Sequence, residues 1–289
     1  MKSSSYGLIF LFCCFLGLTF FSCQGQSITV GPNVYINLNE STIHQRVQLP
    51  PSFSRESYDE NSFAWFLQNF PLKPHRSKVY YYNGEPKHTQ NFHLAVLDID
   101  TGKRDLQQCA DAVIRLRAEY LYHLERFDEI AFHFTNGFLA EYSRWRSGER
   151  IKVDGSNVSW YITTNESKSY QSFREYLNMV FSYAGTLSLN KELKSISLDE
   201  LQIGDIFIQG GSPGHAIIVI DLALHHETGE KIFLMAQSYM PAQDIHVIKK
   251  NKNFIYGPWY SVKEIQEKLS TPEWTFYPRD LKRFQISKR

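Results

Sequence analysis

Hydrophobic and polar positions alternate along this chain with periods that predict both helices and strands. Three segments carry apolar residues at helical spacing and predict helices: 61–70, 106–126 and 173–184. Two further segments are rich in β-forming residues and predict strands: 78–82 and 92–99. A turn at Asn83-Gly84 separates these two strands.

The C-terminal third has the clearest pattern. Three short apolar segments predict strands: 206–208, 215–220 and 232–237. The loop 209–214, with three glycines and one proline, precedes the second strand, and a turn over 226–230 makes the last two strands a hairpin. Because helices precede strands instead of alternating with them, the fold class is predicted to be α+β.

Charge and composition exclude some functions. The 289 residues hold 31 Lys and Arg against 30 Asp and Glu, and 43% are hydrophobic. The chain can therefore bury a large core, and its balanced charge gives no basic surface for a phosphate backbone. We expect no nucleic-acid partner.

The N-terminus has the layout of an export signal. Lys2 precedes an apolar run over 8–21, and Ser22-Cys23 follows it. A run of this length is typical of a signal peptide and too short for a transmembrane helix. The segment 20–24, Phe-Phe-Ser-Cys-Gln, resembles a bacterial lipobox, which implies a lipid on Cys23; the alternative is an ordinary signal cleaved near Gln26.

These features predict three regions. Residues 1–22 are the lipoprotein signal peptide, 23–50 are the lipidated N-terminus and a polar tether, and 51–289 are a single folded domain. The predicted location is the bacterial cell envelope, in the periplasm or on the outer membrane, with the membrane contacted through the N-terminal lipid.

One cysteine remains in the predicted domain. If Cys23 carries a lipid, Cys13 and Cys14 leave with the signal, and Cys109 has no partner for an intramolecular disulfide. Asp105 suits the N-cap of the predicted helix and Gln108 completes a capping box, which puts Cys109 at the fourth helical position. A helix N-terminus stabilises a thiolate, so Cys109 is a candidate nucleophile.

Packing offers an alternative for Cys109. Val113, Leu116 and Tyr120 share its helical face, so the thiol is also suited to be a small apolar core residue. Either interpretation fits the lone cysteine, and residues elsewhere in the chain are needed to choose.

The C-terminal third contains three motifs: Leu201-Gln202-Ile203-Gly204-Asp205-Ile206-Phe207, Gly214-His215-Ala216-Ile217-Ile218-Val219-Ile220 and Ala236-Gln237-Ser238-Tyr239. Together they resemble the second half of papain-like cell-wall amidohydrolases of the NlpC and CHAP types. The resemblance implies a papain-like core with an antiparallel sheet and a nucleophile-bearing helix, interrupted by a mixed insertion over 127–200.

The same resemblance implies roles for individual residues. Cys109 would be the nucleophile, His215 the base and Gln237 the residue that orients the imidazole. A main-chain amide near Cys109, helped by the side chain of Gln108 or Gln107, would stabilise the oxyanion. His225-His226-Glu227 lacks the spacing of a helical zinc site, so no metal or other cofactor is predicted.

The chain from 53 to 284 also resembles a family of exported bacterial lipoproteins with a domain of unknown function. Motifs shared with it are Gln107-Gln108-Cys109-Ala110-Asp111-Ala112, Asn136-Gly137-Phe138 and Ala236-Gln237-Ser238-Tyr239-Met240-Pro241-Ala242-Gln243. This resemblance implies location and fold but no activity.

Two functions therefore stay open. The first is a lipid-anchored cysteine amidase or endopeptidase that cleaves peptidoglycan or a related peptide. The second is a catalytically inactive papain-like relative that binds a cell-wall peptide or glycan, or serves as an envelope scaffold. The residues around Cys109 and the neutral Gln237 favour the second function.

Overall fold

The computed structural model describes residues 27–31, 34–163, 165–250 and 256–285. These residues form six α-helices: α1 Ile43–Arg46, α2 Phe63–Gln68, α3 Cys109–His123, α4 Tyr142–Arg146, α5 Tyr170–Tyr183 and α6 Thr186–Glu192. Short 3₁₀ turns occur at Phe127–Glu129, Leu198–Glu200 and Pro278–Asp280.

The strands are numbered in chain order. Those before the middle of the chain are β1 Ser27–Gly31, β2 Val34–Asn37, β3 Phe53–Ser54, β4 His93–Val96, β5 Ala131–His133, β6 Leu139–Glu141, β7 Glu149–Asp154 and β8 Asn157–Ile162. The later ones are β9 Lys194–Ser195, β10 Ile206–Gln209, β11 His215–His225, β12 Lys231–Gln237, β13 His246–Ile248, β14 Tyr260–Ser261, β15 Leu269–Ser270, β16 Thr275–Phe276 and β17 Leu281–Arg283.

A nine-stranded sheet, antiparallel at every described pairing, is the centre of the fold. Its strand order is β4-β13-β12-β11-β10-β17-β9, with β14 paired to β12 and β3 paired to β11. Strand β11 is buried from His215 to Ala223, as expected for a continuously apolar strand. Helices α2 and α3 pack against β11, so the first residue of α3 lies near the sheet.

The segment between α3 and β10 contains both helices and β-ribbons. Strands β5 and β6 form one ribbon and β7 and β8 another, and α4 packs on α5. A stack of aromatic rings fastens this segment to α3, with the rings of Tyr122 and Phe173 centred 4.3 Å apart. Most of the aromatic side chains here, including Tyr142, Phe173 and Tyr176, are buried and fill the core.

The predicted α+β class is correct, and the long helices and the β11–β12 hairpin are present. The predicted strand over 78–82 is not a regular strand. It contributes only the isolated bridges of Tyr80 with Pro86 and of Tyr81 with Gln243. Side chains take the place of ladder partners here, because the Val79 N–H donates to Gln90 Oε1 and the Tyr80 N–H to Asp244 Oδ2, both at 3.0 Å.

The predicted tether is shorter in the structure. Residues 34–50, assigned to it because their polar pattern has no clear period, include β2 and α1. Ile36, Ile43 and Val47 are nearly inaccessible to solvent and belong to the main hydrophobic core. Three well-separated apolar anchors are enough to fix a polar segment, although they give no periodic signal.

The start of α3 also differs from the prediction. The N-cap is Gln108 instead of Asp105, so Cys109 is the first helical residue and not the fourth. Asp105 is engaged elsewhere, because its Oδ1 accepts hydrogen bonds from the Ala242 N–H at 2.7 Å and from Gln108 Nε2 at 3.0 Å. The Asp111 carboxylate accepts from the Gln108 N–H at 3.1 Å and stabilises the new helix start.

The predicted signal peptide and Cys23 lie outside the described residues. Within the described part of the chain, none of the helices has both the length and the apolar character needed to span a bilayer.

Candidate active site

Cys109 occupies the N-terminus of α3, where the helix meets the start of β11. Its thiol is partly buried. Burial raises the pKa of the thiol, and hydrogen bonding from the backbone N–H groups of Ala216, Ala110 and Cys109 itself opposes this change by favouring the thiolate. The bond from Ala216 puts the sulfur beside the residue that directly follows His215.

His215 and Gln237 are in contact, as the motif order predicts. The Nε2 of His215 lies 2.9 Å from the Oε1 of Gln237, and both side chains are buried. His215 is the first residue of β11 and Gln237 the last residue of β12, so the hairpin brings their side chains together.

An ion pair lies directly behind Gln237. The Nε2 of Gln237 donates to the Oε2 of Glu273 at 2.6 Å, and the Nζ of Lys87 lies 2.7 Å from the Oε1 of Glu273. The side chains of Lys87 and Glu273 are only 7% and 17% exposed. The polar network thus runs without interruption from His215 through Gln237 and Glu273 to Lys87.

Aromatic side chains surround the imidazole. The ring centre of His215 lies 4.8 Å from that of Tyr239, 5.4 Å from Trp274 and 5.8 Å from Phe276. Burial raises the pKa of the Tyr239 hydroxyl, and the nearby Glu273 and Cys109 add to this change. The aromatic rings exclude water from the imidazole and strengthen the electrostatic interactions around it.

The resting site holds a neutral thiol and a neutral imidazole. Burial, with a smaller contribution from Asp111, raises the pKa of Cys109 from 9.0 to about 11, despite the three N–H groups. Burial and the nearby Lys87 lower the pKa of His215 from 6.5 to about 4, although Gln237 opposes that change. In the free protein, desolvation therefore outweighs the interactions that would favour a thiolate–imidazolium pair.

The two glutamines before Cys109 have different surroundings. Gln108, predicted to help stabilise an oxyanion, donates from Nε2 to Asp105. Gln107 is buried, its Oε1 accepts from Arg115 Nη1 at 2.9 Å, and its Nε2 has no hydrogen-bond partner. The main-chain N–H of Cys109 at the helix start is therefore a better placed oxyanion donor than the Gln108 side chain.

Sequence patterns did not identify Lys87, Glu273 or Trp274 as site residues. Glu273 lies between β15 and β16, 36 positions after Gln237. Lys87 precedes α3 by more than 20 residues. Neither residue belongs to a motif or a periodic element, so only the tertiary fold brings them to Gln237.

No group of three or more His, Cys, Asp or Glu side chains in the described ranges is arranged to hold a metal ion. The chemistry available to the described site is that of a thiol, an imidazole, amide groups and an ion pair.

Comparison with known proteins finds one family. No curated protein and no solved structure matches the chain significantly. The model of a family described as a domain of unknown function, DUF4846, matches residues 43–283. This match begins at the first residue of α1 and ends at the last residue of β17. It therefore includes the whole nine-stranded sheet and every residue of the site, and the chain belongs to the DUF4846 family.

Proposed function

We propose that this protein is a lipid-anchored cysteine amidohydrolase of the bacterial cell envelope. Its proposed substrate is an amide bond in peptidoglycan or a related peptide. The observation that carries the proposal is the contact of His215 with Gln237 beside a thiol at a helix N-terminus. The papain-like motif order supports the same reaction class.

The proposed reaction starts from the neutral pair. His215 takes the proton of the Cys109 thiol as the sulfur attacks the amide carbonyl carbon, and the Cys109 main-chain N–H stabilises the oxyanion. The C–N bond then breaks, and the imidazolium gives its proton to the leaving amine. Water hydrolyses the resulting thioester, which releases the acid and restores the thiol.

Several features of the site suit this sequence of steps. Gln237 holds Nε2 of His215, so the other ring nitrogen, Nδ1, is left to accept the thiol proton. The low pKa of His215 makes the imidazolium a strong acid toward the leaving amine, and the same low pKa makes the transfer of the thiol proton to His215 the costly step. The proton therefore returns readily once the C–N bond begins to break.

Digestion of purified peptidoglycan and of synthetic stem peptides tests the proposed activity. The wild-type protein should release new amino groups, and Cys109→Ala or His215→Ala should reduce that rate at least about 10³-fold. Melting temperatures of the variants report whether the fold is intact. Full activity in a folded Cys109→Ala protein would exclude this mechanism.

The anchoring part of the proposal rests on residues 20–24 of the sequence. We expect the full-length protein to incorporate labelled palmitate in bacterial cells and Cys23→Ser to abolish the incorporation. Incorporation by Cys23→Ser would exclude lipidation at this residue.

A specific observation favours a second candidate, a catalytically inactive binding lipoprotein. The thiol is protonated and the imidazole neutral in the resting site, so the free protein has no preformed nucleophile. If this function is correct, wild type and Cys109→Ala should bind a cell-wall peptide or glycan equally, and neither should cleave it. Calorimetric titration with muropeptides, followed by chromatography of the recovered ligand, distinguishes the two candidates.

A further inference from the structure

We propose that the Glu273–Lys87 ion pair is a positioning device that fixes the amide of Gln237 and thereby the tautomer of His215. The proton of the neutral imidazole is held on Nε2, and Nδ1 is left as the basic nitrogen. The catalytic meaning of this arrangement rests on the proposed function, but the tautomer itself can be measured without any activity.

The argument begins at Glu273. A carboxylate paired with an ammonium group has only hydrogen-bond acceptors to offer to other partners. The Nζ of Lys87 lies within 2.8 Å of both carboxylate oxygens of Glu273. The atom of Gln237 that lies 2.6 Å from Glu273 must therefore be the amide nitrogen.

The orientation of Gln237 follows from this contact. Once its nitrogen donates to Glu273, its oxygen is the atom that faces His215, at 2.9 Å from Nε2. A carbonyl oxygen can only accept, so Nε2 of His215 must carry a hydrogen. In a neutral imidazole the other nitrogen then has the lone pair.

Gln237 alone cannot determine which end of its amide faces His215. The oxygen and nitrogen ends of an amide have nearly the same shape, so packing discriminates poorly between its two orientations. A reversed amide would point its N–H₂ group at His215 and stabilise the opposite tautomer. Glu273 discriminates between the two orientations, because a reversed amide would bring the Gln237 oxygen against the Glu273 carboxylate, and both groups are acceptors in a buried site.

Lys87 has a second effect on the imidazole. Its charge lowers the pKa of His215, and its ammonium group also lies 5.8 Å from the ring centre of Tyr239. The ion pair therefore selects the tautomer through Glu273 and disfavours the imidazolium through Lys87. A lone Glu273 carboxylate would select the same tautomer without disfavouring the imidazolium.

The test is NMR of protein labelled with ¹⁵N in its histidines, in which two-bond couplings show which ring nitrogen carries the proton. Loss of a signal in His215→Gln assigns the His215 resonances. At neutral pH, we expect wild-type His215 to be a single Nε2–H tautomer. A wild-type spectrum dominated by the Nδ1–H form would overturn the proposal directly.

Glu273→Gln keeps the size of the side chain but can both donate and accept. We expect it to release Gln237 and give a mixture of the two tautomers, with roughly half of the molecules in each if the orientations become equivalent. Glu267→Gln is the matched control, since Glu267 is exposed and lies shortly before β15, and it should retain the single tautomer. An unchanged tautomer in folded Glu273→Gln would contradict the proposal.

A reciprocal exchange provides a second variant. Gln237→Glu combined with Glu273→Gln restores an acceptor toward His215 and a donor behind it, with the net charge unchanged. The Nε2–H tautomer of His215 should again be the only one. The pKa of the His215 imidazole should rise, because a carboxylate now contacts the ring. A mixture of tautomers in this folded double variant would overturn the proposal.

Kinetics separate this proposal from the proposed function. If the protein hydrolyses amides, Glu273→Gln should lower kcat at least about twofold with little change in KM, because fewer molecules have the productive tautomer. If no amide is hydrolysed, the tautomer measurements still decide the role of Glu273. Suppose that hydrolysis depends on Cys109 but His215 keeps its single tautomer in Glu273→Gln. That result would reject the positioning role of Glu273 and leave the proposed function standing.

Discussion

At the level of single residues, the state of the Cys109 thiol is set by opposing effects. Three backbone N–H groups favour the thiolate, while burial and the nearby Asp111 favour the thiol. Burial has the largest effect and raises the pKa to about 11. Because the thiol is protonated in the free protein, the proposed reaction needs a proton transfer from Cys109 to His215 to form the nucleophile.

Asp111 offers a direct test of this balance. Burial raises the pKa of the Asp111 carboxyl well above its usual value, so its negative charge near the sulfur develops only as the pH rises. The Asp111→Asn substitution removes that charge and keeps an acceptor for the Gln108 N–H. The pKa of Cys109 should fall, because the carboxylate raises it in the wild type. The rate of alkylation by iodoacetamide, measured from pH 7 to 11 in the folded domain, should reach its midpoint at a lower pH.

The exposed Asp154→Asn, at the end of β7, is the matched control and should follow the wild-type alkylation profile. In the wild-type protein itself, alkylation at pH 8 should be slower than in the denatured chain. An Asp111→Asn profile identical to that of the wild type would show that this carboxyl does not influence the thiol.

At the level of elements, the loop before His215 is fixed by its contact with α6. Thr186, the first residue of α6, accepts a hydrogen bond from the Gly211 N–H at 3.3 Å and donates to the Gly211 carbonyl at 3.1 Å. A Cβ on Gly214 would lie 2.4 Å from Thr186 Oγ1 and 2.6 Å from the Gly211 carbonyl oxygen. The loop can therefore pack on α6 only with glycine at this position.

Gly214→Ala should destabilise the protein and displace His215. We expect a loss of about 1–3 kcal/mol in the free energy of unfolding, which is typical of an overpacked site. Gly185→Ala is the matched control, because the same substitution one residue before Thr186 meets no atom within 4 Å. Urea unfolding of both variants measures the difference, and equal stabilities would show that the loop can move away from α6.

The elements also show what the sequence could predict. The β11–β12 hairpin and the body of α3 follow from local apolar patterns. The resemblance to papain-like motifs indicated His215 and Gln237, whose side chains are in contact. The start of α3 does not follow from a local pattern, because Asp105 accepts a hydrogen bond from the Ala242 N–H instead of capping the helix. Lys87 and Glu273 could not be predicted, since two separate loops bring them to Gln237 and neither loop has a periodic pattern.

At the scale of the whole molecule, a buried ion pair joins the N-terminal part of the domain to the sheet. Arg55 contacts Asp221 at the middle of β11, with 2.7 Å between Nη2 and Oδ2, and the Asp221 side chain is fully inaccessible. The same Nη2 of Arg55 donates to the Val47 carbonyl at 2.7 Å. The segment around Val47, expected from sequence to be a tether, is thus part of the support for the strand that begins at His215.

Acid stability depends on two buried histidines near the site. Burial lowers the pKa of His215 to about 4 and that of His246 to about 3, from 6.5 in both cases. Between pH 6.5 and these values, the unfolded chain binds protons that the native protein does not, so the free energy of unfolding falls as the pH falls. When the shifts are fully expressed, His215 contributes a loss on the order of 3 kcal/mol and His246 a loss on the order of 5 kcal/mol.

His246→Gln should therefore flatten the acid side of the stability profile. Urea unfolding at pH 7 and pH 4.5 should show a smaller loss on acidification than in the wild type, by on the order of 2–3 kcal/mol. The comparison uses the change with pH within each protein, so a constant effect of the substitution on packing cancels. His123→Gln, on the exposed surface of α3, is the matched control and should lose as much stability as the wild type. If His246→Gln and wild type lose equal stability, the native protein accepts a proton at His246 near pH 6.5, and the core around the site is more open to water than its burial indicates.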